Sequence, residues 1–240
     1  MRRAFSFLTV LGRAAVPNER TLTWFPVVGL VVGAIVGGAW WVAGRWWPAA
    51  LAAVVAVGVD AVVTGGLHLD GLADSADGLI PPVSRARRFE IMADPRVGAF
   101  GALALVLVLG LRAGALAATP AKVLAVMGLW CGSRTLMAVV ARALPSAHPD
   151  GGMAAAFTAS GGPHHVTARY GVGAYGLALA CGVAAVGSGS RGIEAVAGEV
   201  VAALAVVWLA QRRLGGYTGD VLGACGVLGE TVGLLVLVAR

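Results

Sequence analysis

Thr64-Gly65-Gly66-Leu67-His68-Leu69-Asp70-Gly71-Leu72-Ala73-Asp74-Ser75-Ala76-Asp77-Gly78 places three aspartates four and three residues apart inside an otherwise apolar stretch. At about 100° of turn per helical residue, Asp70, Asp74 and Asp77 fall within roughly 60° of arc and share one face. Three carboxylates on one face repel one another unless something positive stands among them. Oxygen ligands without thiolates suit a hard cation, Mg²⁺, Mn²⁺ or Ca²⁺, better than zinc. His68, two residues before Asp70, lies off that face and reads as a hydrogen-bonding neighbour or a catalytic group.

Two further clusters carry chemistry. In Arg88-Phe89-Glu90-Ile91-Met92-Ala93-Asp94-Pro95-Arg96, Glu90 and Asp94 stand one turn apart and Pro95 ends the turn. Arg96 then presents a guanidinium fork suited to a phosphate, or to lipid headgroups. In Leu214-Gly215-Gly216-Tyr217-Thr218-Gly219-Asp220, a glycine-rich loop runs into an apolar stretch with Asp220 at its mouth. Backbone amides of such a loop hold phosphate oxygens; Asp220 would equally serve as a helix cap. Within apolar stretches Ser133-Arg134 needs a partner, Asp60 is costly and reads as functional or neutral unless it is paired, and Glu230, ten residues beyond Asp220, strengthens the functional reading of the loop. Arg134 is one partner open to Asp60. His164-His165 lacks acidic or cysteine companions and reads as loop.

These residues are embedded in a chain of 240 residues that is 58% hydrophobic and 12% charged, with mean hydropathy +0.84. Soluble domains carry about 25% charged residues. The fold class is therefore all-α: a polytopic integral membrane bundle of about seven transmembrane helices with cytoplasmic active-site loops. The expected spans are Trp24–Ala43, Pro48–Leu67, Ala99–Ala118, Val123–Leu144, Tyr170–Gly187, Ile193–Ala210 and Val221–Val238. Tyr170–Gly187 is the weakest, and its loss would flip the C-terminus. Met1 to Arg20 lacks the apolar core of a signal peptide.

Net charge is +6. With the N-terminus inside, twelve basic residues fall on the cytoplasmic side: Arg2, Arg3, Arg13, Arg20, Arg85, Arg87, Arg88, Arg96, Arg142, Arg169, Arg212 and Arg213. Four, Arg45, Lys122, Arg191 and Arg240, fall outside. That bias explains the basic balance as topology in a cell (inner) membrane, with lipid and not nucleic acid as the partner. Trp40, Trp41, Trp46 and Trp47 read as an interfacial belt. Gly33 and Gly37 form a close-packing pattern within the chain. Cys131, Cys181 and Cys225 read as packing residues.

The chain resembles the cobalamin synthase (adenosylcobinamide-GDP ribazoletransferase) family. The likeness runs in order through Phe7-Leu8-Thr9, Trp24-Phe25-Pro26-Val27-Val28-Gly29, Thr64 to Gly78, Glu90-Ile91-Met92 with Asp94 and Arg96, Ser133-Arg134, and Gly215-Gly216 with Thr218-Gly219-Asp220 and Leu222-Gly223-Ala224. Leu11-Gly12-Arg13 loosens the family's usual basic-apolar-proline stretch, and Pro95 replaces a frequent serine. The resemblance implies one membrane-embedded transferase domain over 1–240. It also implies a Mg²⁺-dependent phosphotransfer, in which α-ribazole or its 5′-phosphate attacks adenosylcobinamide-GDP and GMP leaves. Asp70, Asp74 and Asp77 would then ligate the metal and Arg96 and Arg134 would clamp phosphates. Glu90, Asp94, Thr64, Gly215, Gly216 and Thr218 would line the substrate site, and Asp220 or His68 would act catalytically. An oligomer is left open. Two rivals exist on physical grounds. CDP-alcohol phosphotransferases also array aspartates on membrane helices, but Asp74 after Ala73 breaks their pattern. A divalent-cation transporter would spread its acids over several depths.

Overall fold

A computed structural model describes residues 1–12, 16–147 and 165–240, with the side chains of 19 and 165–170 left aside. In chain order the described helices are α1 (Arg2–Leu8), α2 (Glu19–Leu22), α3 (Phe25–Ala43), α4 (Ala49–Val63), α5 (Leu67–Leu79), α6 (Arg85–Met92), α7 (Ala99–Ala117), α8 (Val123–Ala143), α9 (His165–Ser188), α10 (Ser190–Leu214) and α11 (Gly219–Val238). Among the described residues no strand forms, and an isolated β-bridge joins Ser146 to Tyr217. His164 lies outside the described residues, as does Arg13.

Among the described residues six helices are long and apolar enough to cross a bilayer, within Phe25–Ala43, Ala99–Ala117, Val123–Ala143, Gly171–Ser188, Ser190–Leu214 and Gly219–Val238. The short, glycine-rich span expected at Tyr170–Gly187 is thus helical. The all-α membrane bundle stands, with α4 and α5 together supplying a seventh crossing if the pair counts as one.

That pair corrects the expected span Pro48–Leu67. The helix stops at Val63, and α5 leaves it at 90°. Gly65 and Gly66 adopt φ of 63° and 71°, a left-handed geometry that side chains with a Cβ resist. Fifteen residues of α4 rise only about 22 Å, less than the roughly 30 Å of a hydrocarbon core. α5 lies across the direction of α4, so the apolar run does not continue as one straight helix. The N-terminal segment is tied to this corner, the Val10 amide donating to the Val63 carbonyl at 2.9 Å.

α8 is the central post: Val126, Leu129, Trp130, Cys131, Ser133, Arg134, Thr135 and Ala138 are all buried. α3 approaches it through Gly33 and Gly37, where an added Cβ would stand 2.7 Å from the Met127 Cα and 3.1 Å from the Val123 Cα. The small-residue pattern is therefore an intramolecular seam, as the sequence indicates. Cys131 and Cys225 are buried and all three cysteines are free, which bears out their reading as packing groups. Trp41, Trp46 and Trp47 are exposed, whereas Trp40 packs in the core and cannot belong to a surface belt. Arg45 sits over the Trp41 ring at 4.3 Å.

Candidate active site

The aspartates of α5 do share a face, graded in depth. Asp70 is exposed, Asp74 half-buried and Asp77 buried. The face is closed on one side by α11. An added Cβ on Gly71 would lie 2.9 Å from the Asp220 Cα, and one on Gly223 would lie 3.2 Å from the His68 Cα. The two helices touch backbone to backbone, so Asp220 joins the aspartate face from 150 residues downstream in the chain. Burial first, then the charges of Asp70, Asp220 and Asp77, push the Asp74 carboxyl up to about 6. Four oxygen-bearing acids gathered on two helices fit a hard divalent metal. Among the described residues no three acid, histidine or cysteine groups already converge on one metal-binding point; the carboxylates are neighbours whose rotamers would have to close in.

Asp77 has a second task. Its Oδ2 accepts the Gly98 amide at 2.7 Å and its Oδ1 the Gly101 amide at 3.0 Å. Those amides open α7, so Asp77 caps a neighbouring helix with a full negative charge at the positive end of its dipole. Each oxygen keeps one further lone pair.

At the other end of α5, Arg88 donates to the Gly78 carbonyl at 2.6 Å and to the Leu79 carbonyl at 3.0 Å, and is 2% exposed. A cation on the last carbonyls favours the helix terminus. The sequence offers no way to single out Arg88 from its neighbours, and its role was missed there. Glu90, by contrast, forms an exposed pair with Arg87 at 2.7 Å. Asp94 holds Arg96 through the backbone amide at 3.0 Å, Nε at 2.9 Å and Nη2 at 2.6 Å. These bonds hold the Asp94 carboxyl at about 2. The Arg96 side chain is 87% exposed, an oriented guanidinium facing solvent.

The glycine-rich loop is a built corner. Gly215 ends α10 with φ 75°. The Tyr217 amide donates to the Pro145 carbonyl at 3.1 Å, and the Ala147 amide to the Tyr217 carbonyl at 2.9 Å. Gly216 lies where a Cβ would meet the Pro145 oxygen at 2.5 Å. Thr218 is the N-cap of α11, its Oγ1 accepting the Val221 amide at 3.2 Å. The capping role open to Asp220 thus belongs to Thr218, whose hydroxyl also donates to Asp220 Oδ2 at 3.2 Å. Thr64 ends α4 and gives its hydroxyl to the Asp60 carbonyl at 2.7 Å.

One layer below, a charged network fills the bundle. Arg112 on α7 donates to Asp60 Oδ2 at 2.8 Å, to Thr231 Oγ1 at 3.0 Å and to the Val227 carbonyl at 3.1 Å, and pairs with Glu230. Trp130 Nε1 donates to Asp60 Oδ1 at 2.8 Å. Ser133 donates to Glu230 at 2.7 Å, and Arg134 pairs with the same carboxylate. Asp60 is therefore partnered by Arg112, where the sequence offers Arg134. Arg134 is 1% exposed and tied to Glu230, so the structure sets it beneath the aspartates and not on an open surface beside them. His68 is buried with neither ring nitrogen hydrogen-bonded among the described residues. Burial, then the positive Arg134 and Arg112, hold it well below its ordinary range, so it is neutral.

The chain matches the model of the cobalamin-5-phosphate synthase family over residues 1–238. It belongs to that family. Curated relatives called adenosylcobinamide-GDP ribazoletransferase include one from Chlorobaculum parvum, 40% identical over 95% of this chain and 89% of its own length. Another, from Bradyrhizobium diazoefficiens, is 38% identical over 100% of this chain and 93% of its own. One from Klebsiella pneumoniae is 33% identical over 97% and 98%. No solved structure matches the chain. Membership in a transferase family decides against the transporter and lipid-enzyme alternatives.

Proposed function

We propose that this chain is an adenosylcobinamide-GDP ribazoletransferase acting at the cytoplasmic face of the cell membrane. The observation that carries the reading is the family match over 1–238, together with four acids, Asp70, Asp74, Asp77 and Asp220, gathered where α5 meets α11. A hydroxyl of α-ribazole, or of its 5′-phosphate, attacks the cobinamide-side phosphorus of the pyrophosphate. The bond from that phosphorus to the bridging oxygen breaks, GMP leaves with the electron pair, and adenosylcobalamin or its 5′-phosphate forms.

Such a displacement needs positive charge on the leaving phosphate and an in-line approach. Bound Mg²⁺ supplies that charge, and Asp70, Asp74 and Asp77 would hold it, with Asp220 completing the set or taking the hydroxyl proton. Asp77, fixed by two α7 amides, orients the deep end of the face. Neutral His68 is the alternative proton acceptor. Arg96, aimed at solvent by Asp94, meets a substrate phosphate arriving from the aqueous side. Glu90, Thr64, Gly215, Gly216 and Thr218 set the walls: Thr64 fixes the corner from which α5 departs, and the loop fixes the start of α11. Arg134 acts through Glu230 on α11, since it does not reach the surface.

The test is direct. Purified protein in detergent is incubated with adenosylcobinamide-GDP and α-ribazole in Mg²⁺, and the products are analysed by mass spectrometry. The expected products are GMP and adenosylcobalamin in equal amounts. Release of GMP without a ribazole-containing corrinoid, or no turnover by folded protein, would reject the reading.

A further inference from the structure

Glu199, on α10, belongs to neither the aspartate face nor the paired network. It is fully buried, and neither carboxyl oxygen has a hydrogen-bond partner among the described residues. Three glycines on two helices make the slot it occupies. An added Cβ on Gly132 of α8 would stand 2.2 Å from Glu199 Oε2, one on Gly233 of α11 would stand 3.0 Å from its Cγ, and one on Gly229 would stand 3.6 Å from its Cβ. The side chain is accommodated by design of its neighbours, yet nothing donates to it.

The surroundings are already neutral without it. Arg112 and Arg134 carry two positive charges, and Asp60 and Glu230 carry two negative ones. The ionisable groups acting on Glu199 are Glu230 on α11, Arg134 on α8, Cys181 on α9 and Arg112 on α7. Where α10 nears α6, the groups are Arg213 and Arg88. Arg134 Nε and Nη2 are themselves unpartnered, so neither bonds to Glu199. An ionised Glu199 would make three carboxylates against two guanidiniums, in an apolar bundle, with no donor on either oxygen. Burying such a charge is far costlier than burying a neutral acid.

We infer that Glu199 is a proton-binding site inside the membrane, holding as a neutral carboxylic acid the one hydrogen ion that the Asp60–Arg112–Glu230–Arg134 network does not balance. The ligand is the proton itself. The site sits against the same helix, α11, that carries Asp220 at its cytoplasmic end.

Infrared spectroscopy of the purified full chain near neutral pH tests this. The wild-type protein should show the carbonyl band of a neutral carboxyl that disappears in Glu199→Gln. Thermal unfolding gives a second reading. A group neutral when folded but ionised when released lowers stability as pH rises above its ordinary value of about 4.3. Glu199→Gln should therefore fold, and its advantage in Tm over wild type should grow from mildly acid to neutral pH. Identical infrared spectra, a Tm difference that does not change with pH, or a Glu199→Gln protein that cannot fold would each overturn the inference, because each means that the charged form is the native one.

Discussion

Gly71 of α5 and Asp220 of α11 meet backbone to backbone: a Cβ on Gly71 would stand 2.9 Å from both the Cα and the carbonyl oxygen of Asp220. This contact is what turns three aspartates on one helix into a cluster of four on two. A methyl group there has only main chain to push against, so the helices must separate. Gly71→Ala should cost on the order of 1–3 kcal/mol of stability by overpacking. It should also raise the Mg²⁺ concentration needed for half-maximal GMP release. A variant with wild-type Mg²⁺ response would mean that the approach of Asp220 is incidental.

The three α5 aspartates should not respond alike. Asp→Asn at 70, 74 or 77 removes a charge that offsets the phosphoryl transition state, and each should lower turnover by on the order of a hundredfold or more. Asp77→Asn should in addition lower Tm, since an amide offers only one oxygen to the Gly98 and Gly101 amides that Asp77 now serves. Asp70→Asn should leave Tm unchanged or raised. Equal Tm values for the Asp70 and Asp77 variants would refute the capping role.

Asp74 makes the metal-free protein sensitive to pH. Its carboxyl is raised to about 6 in the fold, above 3.8 in the free residue. A raised acid favours the folded state at low pH, and that contribution is lost as pH climbs from about 4 to about 6. In EDTA, Tm should fall across that window, Asp74→Asn should flatten the fall, and Mg²⁺ should restore stability above about pH 6. Differential scanning at stepped pH, with and without metal, reads all three.

Arg88 holds the far end of the aspartate helix. Arg88→Ala leaves the Gly78 and Leu79 carbonyls without their donor and should destabilise by about 1–3 kcal/mol. Turnover should fall while the KM for α-ribazole stays near wild type, because no substrate contact is removed. A selective loss of substrate affinity would instead make Arg88 a binding residue.

Much of this was legible in the residues. The 4–3 spacing of Asp70, Asp74 and Asp77 fixes their common face wherever the segment is helical, and the apolar stretches announce the bundle. The right-angled corner that Gly65 and Gly66 make, which shortens the preceding span, was not legible. Partner choice was not legible. Asp60 and Arg112 are 52 residues apart in the chain, and nothing local prefers Arg112 to Arg134. The cap on α7 comes from another helix, so no capping pattern around Gly98 reveals Asp77. Glu199 is one of two glutamates in the expected span Ile193–Ala210, and its meaning lies in the glycines of two other helices.

The most direct test of the shared site is GMP release as a function of Mg²⁺ for Asp220→Asn beside wild type. If Asp220 is a metal ligand, the variant needs more Mg²⁺ and recovers when metal is raised. If it takes the hydroxyl proton, the rate at saturating Mg²⁺ stays down by roughly 10²–10⁴-fold. Either result places Asp220 in the chemistry with the α5 aspartates. A variant with full activity at every Mg²⁺ concentration would contradict the account, leaving Asp220 a bystander at the mouth of α11.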